Sequence, residues 1–217
     1  MCAGSILLVI TLATSNRGKA KEFARLFGAG YSVRALAPHI TLPVETGDTF
    51  AANARLKAES VFASLGGTKA VLADDSGLEV GALGGLPGVR SARYAGPEAG
   101  DEENVALLIA ELEGQTDRRA RFVCELALVL PGEGKGFGPR LVTARGELRG
   151  RISECRRGDG GFGYDPVFVP DGWERTLAEV EAGEKDRVSH RGAAVQALLR
   201  ELHTQVGGEL AHGRGKG

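Results

Sequence analysis

The 217 residues carry 27 lysines and arginines against 28 aspartates and glutamates, a formal net charge of -1, with 42% hydrophobic residues. That balance excludes a general nucleic-acid-binding surface, which requires a basic face, and the length suits one domain of two lobes with a sizeable core. Glycine is the outlier: its 33 residues are about twice the usual share, which means many tight turns and places where backbone approaches a ligand.

Residues 6–13 are rich in β-branched side chains and apolar on both faces, the signature of a fully buried central strand. No basic residue precedes this run and it is far too short to cross a bilayer, so it reads as neither signal peptide nor membrane span. Cys2, Cys124 and Cys155 form an odd, widely spaced set without a C-x-x-C pair. Such a set fits a reducing compartment, and the cytoplasm is the expected location. Thr14-Ser15-Asn16-Arg17-Gly18-Lys19 follows, then Phe23, Leu26 and Phe27 at helical spacing, stopping at Gly28. An extended piece over 31–36 leads into Pro38, Pro43 and the polar turn Glu45-Thr46-Gly47-Asp48. The clearest helix comes next. Phe50, Ala54, Ala58, Val61 and Leu65 share one stripe, Asp48 or Thr49 can cap the start, and Gly66-Gly67 ends it. Asn53 and Lys57 lie four apart and share a different face.

A short strand over 70–73 is expected to give way to a glycine-rich loop with Asp74-Asp75-Ser76-Gly77, Gly84-Gly85-Leu86-Pro87-Gly88 and Ser91-Ala92-Arg93-Tyr94. Adjacent acids there fit two readings: a metal or proton-transfer site at a strand's carboxyl end, and a hydrated acidic turn. A helix is predicted over 101–112, followed by two long strands over 120–130 and 139–148. The glycine-rich turn 132–138 joins them as an antiparallel hairpin. Residues 158–170 read as a loop dense in glycine and aromatics, and Ala194, Leu198, Leu199 and Leu202 mark the final helix. The domain expectation is an N-terminal extension over 1–5, one two-lobed domain over 6–206 and a flexible tail over 207–217.

Four groups of residues carry candidate chemistry. The loop 14–19 suits phosphate, because small polar residues and Gly18 let N–H groups converge, a helix N-terminus adds positive potential and Lys19 adds charge. It lacks the leading glycine and trailing Ser or Thr of a Walker A loop, and an ordinary capped helix start is the better reading of these residues alone. Glu45, Asp74 and Asp75 are hard oxygen donors, and Mg²⁺ needs only one or two carboxylates beside water and substrate phosphates. Gly160-Gly161-Phe162-Gly163-Tyr164-Asp165-Pro166 offers aromatics that either stack on a planar base or anchor the loop to the core. Lys185, Ser189, His190 and Arg191 gather donors suited to carbonyl or phosphate groups. No serine or cysteine triad stands out, and covalent acyl chemistry is not expected.

These residues together resemble the family of inosine/xanthosine triphosphate pyrophosphatases. The resemblance runs from Leu8 to Leu202 and rests on five segments in the same order with similar spacings. They are Ala13-Thr14-Ser15-Asn16 with Gly18-Lys19; Glu45-Thr46-Gly47 with Asn53 and Lys57; residues 73–78 with 83–94; residues 161–166; and Glu184-Lys185 with Ser189-His190-Arg191-Gly192.

The resemblance implies an α/β fold with an elongated mixed β-sheet flanked by helices, two lobes and a central cleft. It implies a homodimer and Mg²⁺-dependent cleavage of non-canonical purine nucleoside triphosphates (ITP, dITP, XTP) to monophosphate and pyrophosphate. Neither nucleic acid nor membrane is an expected partner. Thr14, Ser15, Asn16, Arg17, Gly18 and Lys19 would hold phosphates. Asp75 matches the catalytic proton acceptor and a metal ligand, with Glu45 the second ligand and Asp74 a further one. Lys57, Ser76 and Arg93 would contact substrate, and Phe162, Gly163, Tyr164, Asp165, Lys185, His190 and Arg191 would form the nucleobase pocket and its edge. One departure stands out: the family usually has Glu-Asn-Ala where this chain has Ala52-Asn53-Ala54. Metal binding then leans on Glu45 and Asp75. Two rivals are a Maf-type pyrophosphatase acting on modified pyrimidine nucleotides and a nucleotide sensor without turnover. The Ser-His-Arg and Phe-Gly-Tyr-Asp segments disfavour the first, and the intact Glu45 and Asp75 disfavour the second.

Overall fold

The computed structural model describes residues 8–132, 134 and 136–212, with Arg17 and residues 205–212 described by backbone alone. The expected extension over 1–5 lies outside the described residues. The elements are β1 (Leu8–Leu12), α1 (Arg17–Phe27), β2 (Tyr31–Ala35), α2 (Phe50–Ser64), β3 (Ala70–Val80), α3 (Asp101–Glu111), β4 (Arg119–Leu130), β5 (Arg140–Ile152), β6 (Phe168–Pro170), α4 (Ala182–Val188) and α5 (His190–His212). No helix among the described residues is long and apolar enough to cross a membrane.

Six strands form one mixed α/β sheet in the order β2-β1-β3-β4-β5-β6. β1 runs parallel to both β2 and β3, whereas β5 and β6 are antiparallel. β4 and β5 are neighbours, and their ion pairs Arg121–Glu147 and Glu125–Arg145 run in the antiparallel sense expected of a hairpin. The strand order turns back at β1, with β2 on one side and β3 on the other. In such sheets ligands bind beyond the carboxyl ends of the strands at the reversal, and the loop 14–16 leaves β1 there.

The structure differs from expectation at four places. β1 is not buried on both faces: Val9 is 39% exposed, and Leu8 and Thr11 are half-buried. β3 does not stop at Ala73 but continues through Asp74 and Asp75 to Val80. Its pairing with β1 ends where Leu12 meets Leu72, so β3 projects past its neighbour and carries both acids beyond the carboxyl end of β1. Asp and Gly are poor strand formers, but Leu78 and Val80 are fully buried and both acids are paired, so tertiary contacts override local preference. The loop over 158–170 likewise contains β6, whose three residues are all buried. α5 continues to His212, so 207–212 of the expected tail are helical, and 213–217 lie outside the described residues.

The chain divides into two compact units, the first made of residues up to Asp75, 125–145 and 193 onward, the second of 76–124 and 146–192. In the first, Ala54, Ala58, Val61 and Phe62 of α2 pack with Val71 and Ala73 of β3 and Ala127 and Val129 of β4. The second is built on Leu78, Val80, Leu108, Leu112, Phe122 and Phe168.

α2 forms as its apolar stripe dictates, and Thr49 caps it by accepting from the Ala52 N–H at 3.1 Å. Position 52 is where a capping box would carry glutamate. Ala52→Glu is expected to stabilise the fold by about 0.5–1 kcal/mol, which thermal melts would show as a rise of about 1–4 °C. An unchanged or lower midpoint would show that the start of α2 gains nothing from an acid.

Candidate active site

In the first unit the site begins where β1 ends. Asn16 caps α1 by accepting from the Lys19 N–H at 3.0 Å, and the Asn16 N–H donates to Thr14 Oγ1 at 3.1 Å. The capped start exposes Ser15, Asn16 and Gly18 at the positive end of the helix. Capped helix and candidate phosphate loop are therefore one structure. Lys19, one turn in, donates from Nζ to Asp74 Oδ2 at 2.9 Å, and Asp74 is buried.

Successive side chains on a strand point to opposite faces, which separates the two acids. Asp75 shares its face with Val71 and Ala73, the face covered by α2. There it meets Lys57 Nζ through Oδ1 at 3.1 Å and Asn53 Nδ2 through Oδ2 at 3.2 Å. The same Lys57 Nζ reaches Glu45 Oε1 at 2.6 Å, so two carboxylates converge on one ammonium. Asp74 belongs to the other face, with Lys19.

Burial pushes the Asp75 carboxyl above the ordinary aspartate range, Lys57 pulls it down and the Glu45 carboxylate pushes it up again. For Lys57, burial opposes the charge, but Asp75, Asp74 and Glu45 outweigh it and raise the ammonium's pKa. The turn that carries Glu45 is tied to the same helix, because the Gly47 N–H donates to Asn53 Oδ1 at 2.7 Å. Position 47 must be glycine for this approach: a Cβ there would stand 2.7 Å from Asn53 Oδ1 and 2.8 Å from Ala52 Cβ.

Among the described residues no three His, Cys, Asp or Glu side chains form a metal cage. Glu45 and Asp75 nonetheless offer two hard oxygen donors around one positive charge. That fits a cation of the Mg²⁺ type, which binds through one or two carboxylates plus water and phosphate oxygens.

The second unit holds the aromatic set. Phe162 is 41% exposed, with Lys185 Nζ 4.7 Å and Arg191 Cζ 5.2 Å from its ring centroid. Both cations are buried, the setting in which cation–π attraction is strongest. Asp165 organises this corner: its Oδ2 accepts from the Phe162 N–H at 2.8 Å and pairs closely with Lys185 Nζ. Gly161 is needed for it, since a Cβ there would fall 2.1 Å from Asp165 Oδ2 at a φ of +75°. Gly163 donates its N–H to Asp101 Oδ2 at 2.6 Å.

Tyr164 takes the anchoring role instead of offering an open face, for it is buried and its hydroxyl donates to Ser91 O at 2.9 Å. His190 is buried and stacked on Phe122, with centroids 4.8 Å apart and planes at 12°. Ser76 is half-buried, and Arg93 stands exposed at the end of the short helical turn Gly88–Arg93. The Arg17 side chain lies outside what is described. Phe122, Asp101 and Ser91 have no expected role in the site; each acts through a partner remote in the chain, and no local pattern marks such a pairing. Asn53 is expected on the face of Lys57 and within the segment that includes Glu45-Thr46-Gly47, but with no role of its own.

The model of the Ham1 family matches residues 10–201. A dITP/XTP pyrophosphatase of Exiguobacterium sp. strain AT1b is 48% identical over 197 residues, covering 89% of this chain and 96% of that protein. Among solved structures, a HAM1 protein from Coxiella burnetii superposes with a TM-score of 0.79 at 37% identity, over 91% of this chain and 100% of that one. A nucleoside-triphosphatase, dITP/XTP pyrophosphatase, from Mycobacterium abscessus does so with 0.70 at 42% identity, over 88% and 99%. On the extent of the family match and the level of identity, the chain belongs to the Ham1 family.

Proposed function

We propose that this protein hydrolyses non-canonical purine nucleoside triphosphates (dITP, XTP and ITP) to the monophosphate and pyrophosphate, and so removes them from the nucleotide pool. The observation that carries this reading is Asp75. It is a buried carboxylate whose pKa burial raises, gripped by Asn53 and Lys57 with Glu45 on the same ammonium. A carboxylate held in this way on both oxygens is suited to orient attacking water and take its proton. The resemblance to proteins described as dITP/XTP pyrophosphatases supplies the substrate class.

In this reading Glu45 and Asp75 would hold Mg²⁺, which when bound neutralises charge on the phosphates. Lys57 and Lys19 add positive charge for the triphosphate and the leaving pyrophosphate, and the N–H groups at the start of α1 cradle phosphate oxygens. Asp74 serves Lys19, fixing where its ammonium points. Phe162 gives the base a stacking face, while Lys185, His190 and Arg191 present donors to a 6-oxo group. A 6-amino group would face donors with its own donors, and buried unpaired polar groups of this kind give discrimination of about 10⁴-fold.

Pyrophosphate release measured with dITP, XTP, ITP, ATP, GTP and a modified pyrimidine triphosphate, with and without Mg²⁺, tests the proposal. Fast release confined to the 6-oxo non-canonical purines and dependent on the metal is the expected result. Release from the modified pyrimidine alone would move the chain to the Maf-type chemistry, and tight binding without release would make it a sensor. Arg191→Ala is expected to narrow the preference for ITP over ATP by about 10-fold or more; unchanged selectivity in competition assays would place base reading elsewhere. Homodimer formation belongs to the same reading and is checked by sedimentation equilibrium.

A further inference from the structure

α2 presents two residues one turn apart that bridge the same two segments. Lys57 joins Glu45 to Asp75 through one ammonium. Asn53 joins Gly47 to Asp75 through one amide, with Oδ1 accepting from the Gly47 N–H at 2.7 Å and Nδ2 donating to Asp75 Oδ2 at 3.2 Å. Asn53 is completely buried. The Gly47 donor fixes the orientation of the amide, because a flipped amide would set N–H against N–H.

The two bridges differ in kind. Lys57 balances charge, and its four-carbon stem can follow a moving carboxylate. Asn53 carries no charge and has only two side-chain torsions, so its two bonds fix position. Asp75 is thus held on one oxygen by a long-stemmed cation shared with Glu45 and on the other by a short neutral donor. We propose that Asn53 is a positioning residue, which sets the direction of the Asp75 carboxylate and locks it to the turn that carries Glu45. This rests on the reading of Asp75 as the proton acceptor.

The consequence is a loss of turnover rather than of binding. Misplacing a reacting group by about an ångström costs up to about 100-fold. Asn53→Leu fills the same space without either bond. Asn53→Asp keeps the acceptor for the Gly47 N–H and sets a carboxylate oxygen where Asp75 met a donor. Both are expected to lower kcat for dITP about 10- to 100-fold while KM stays within about threefold. Affinity for a non-hydrolysable dITP analogue, measured by calorimetry on protein shown folded by circular dichroism, is expected to stay near that of the native protein.

The two variants separate positioning from scaffolding. If Asn53 only holds the turn, Asn53→Asp keeps kcat within about twofold of native while Asn53→Leu loses thermal stability, and the proposal is overturned. It is equally overturned if KM rises and kcat does not fall. Absence of pyrophosphate release by the native protein in the same assay would sink the hydrolase reading itself, a result distinct from either.

Discussion

Asp75→Asn is expected to remove turnover while leaving a folded protein that still binds nucleotide. The substitution keeps the shape of the side chain and an oxygen able to accept from Asn53 or Lys57, and Lys57 retains Glu45 as its counter-charge. What it removes is the ability to take a proton. General-base catalysis is worth about 10²–10⁴-fold, and loss of a carboxylate beside the metal adds to this, so kcat should fall by about 10³-fold or more. Pyrophosphate release and analogue affinity, measured on the same preparation, decide the matter. A mutant releasing pyrophosphate within about tenfold of native would remove Asp75 from the catalytic role.

The second large effect is expected at Lys57, and it is one of stability as much as activity. Lys57→Met would leave Glu45 and the buried Asp75 converging on a methyl group where an ammonium stood. Removing one partner of a buried ion pair typically costs about 3–5 kcal/mol, or about 6–20 °C in melting temperature for a chain of this size. The loss should depend on pH, with a definite sign. Burial already raises the Asp75 carboxyl and Lys57 is the largest influence holding it down, so without the lysine it rises further. An acid with a raised pKa in the fold binds its proton more tightly there. Its folded form is therefore favoured at low pH and loses stability as pH climbs from the ordinary value of about 4 through the raised one. The variant should lie closest to the native protein at the acid end of the range and fall further behind as the pH rises. Thermal melts across that range showing a constant gap would mean that Lys57 does not control the protonation of Asp75.

Much of the first unit could be read from the sequence because its elements are locally determined. The strand before Thr14, the capped helix after it and the stripe of α2 each follow from short-range pattern and are found in place, although β1 is not buried on both faces, with Val9 exposed and Leu8 and Thr11 half-buried. β3 was cut short for the opposite reason. Asp-Asp-Ser-Gly is turn chemistry, and the lysines and amide of two other elements, with the burial of Leu78 and Val80, convert it to strand. The same limit hid Phe122 beneath His190. A phenylalanine in a strand looks alike whether it packs on aliphatics or carries a histidine 68 positions on. The Phe162 corner was legible as aromatic and glycine-rich, but the division of labour between the exposed Phe162 and the buried, anchored Tyr164 was set by contacts with Lys185, Arg191 and Ser91.

β3 is buried along nearly its whole length, with residues 70–75 all shut away from solvent on both faces. A strand wetted on one side tells its partners which way to align, since a slip by one residue would turn apolar side chains outward. β3 sends no such message: slid by one, Val71, Leu72 and Ala73 would still meet oil on either side. Its polar residues carry the address instead. Asp75 fits only where an amide and an ammonium wait on α2, and Asp74 only where Lys19 waits on α1. The two acids read first as chemistry thus also act as a key that admits a single alignment of the strand, so the sheet cannot be assembled out of step without leaving two buried carboxylates unmatched.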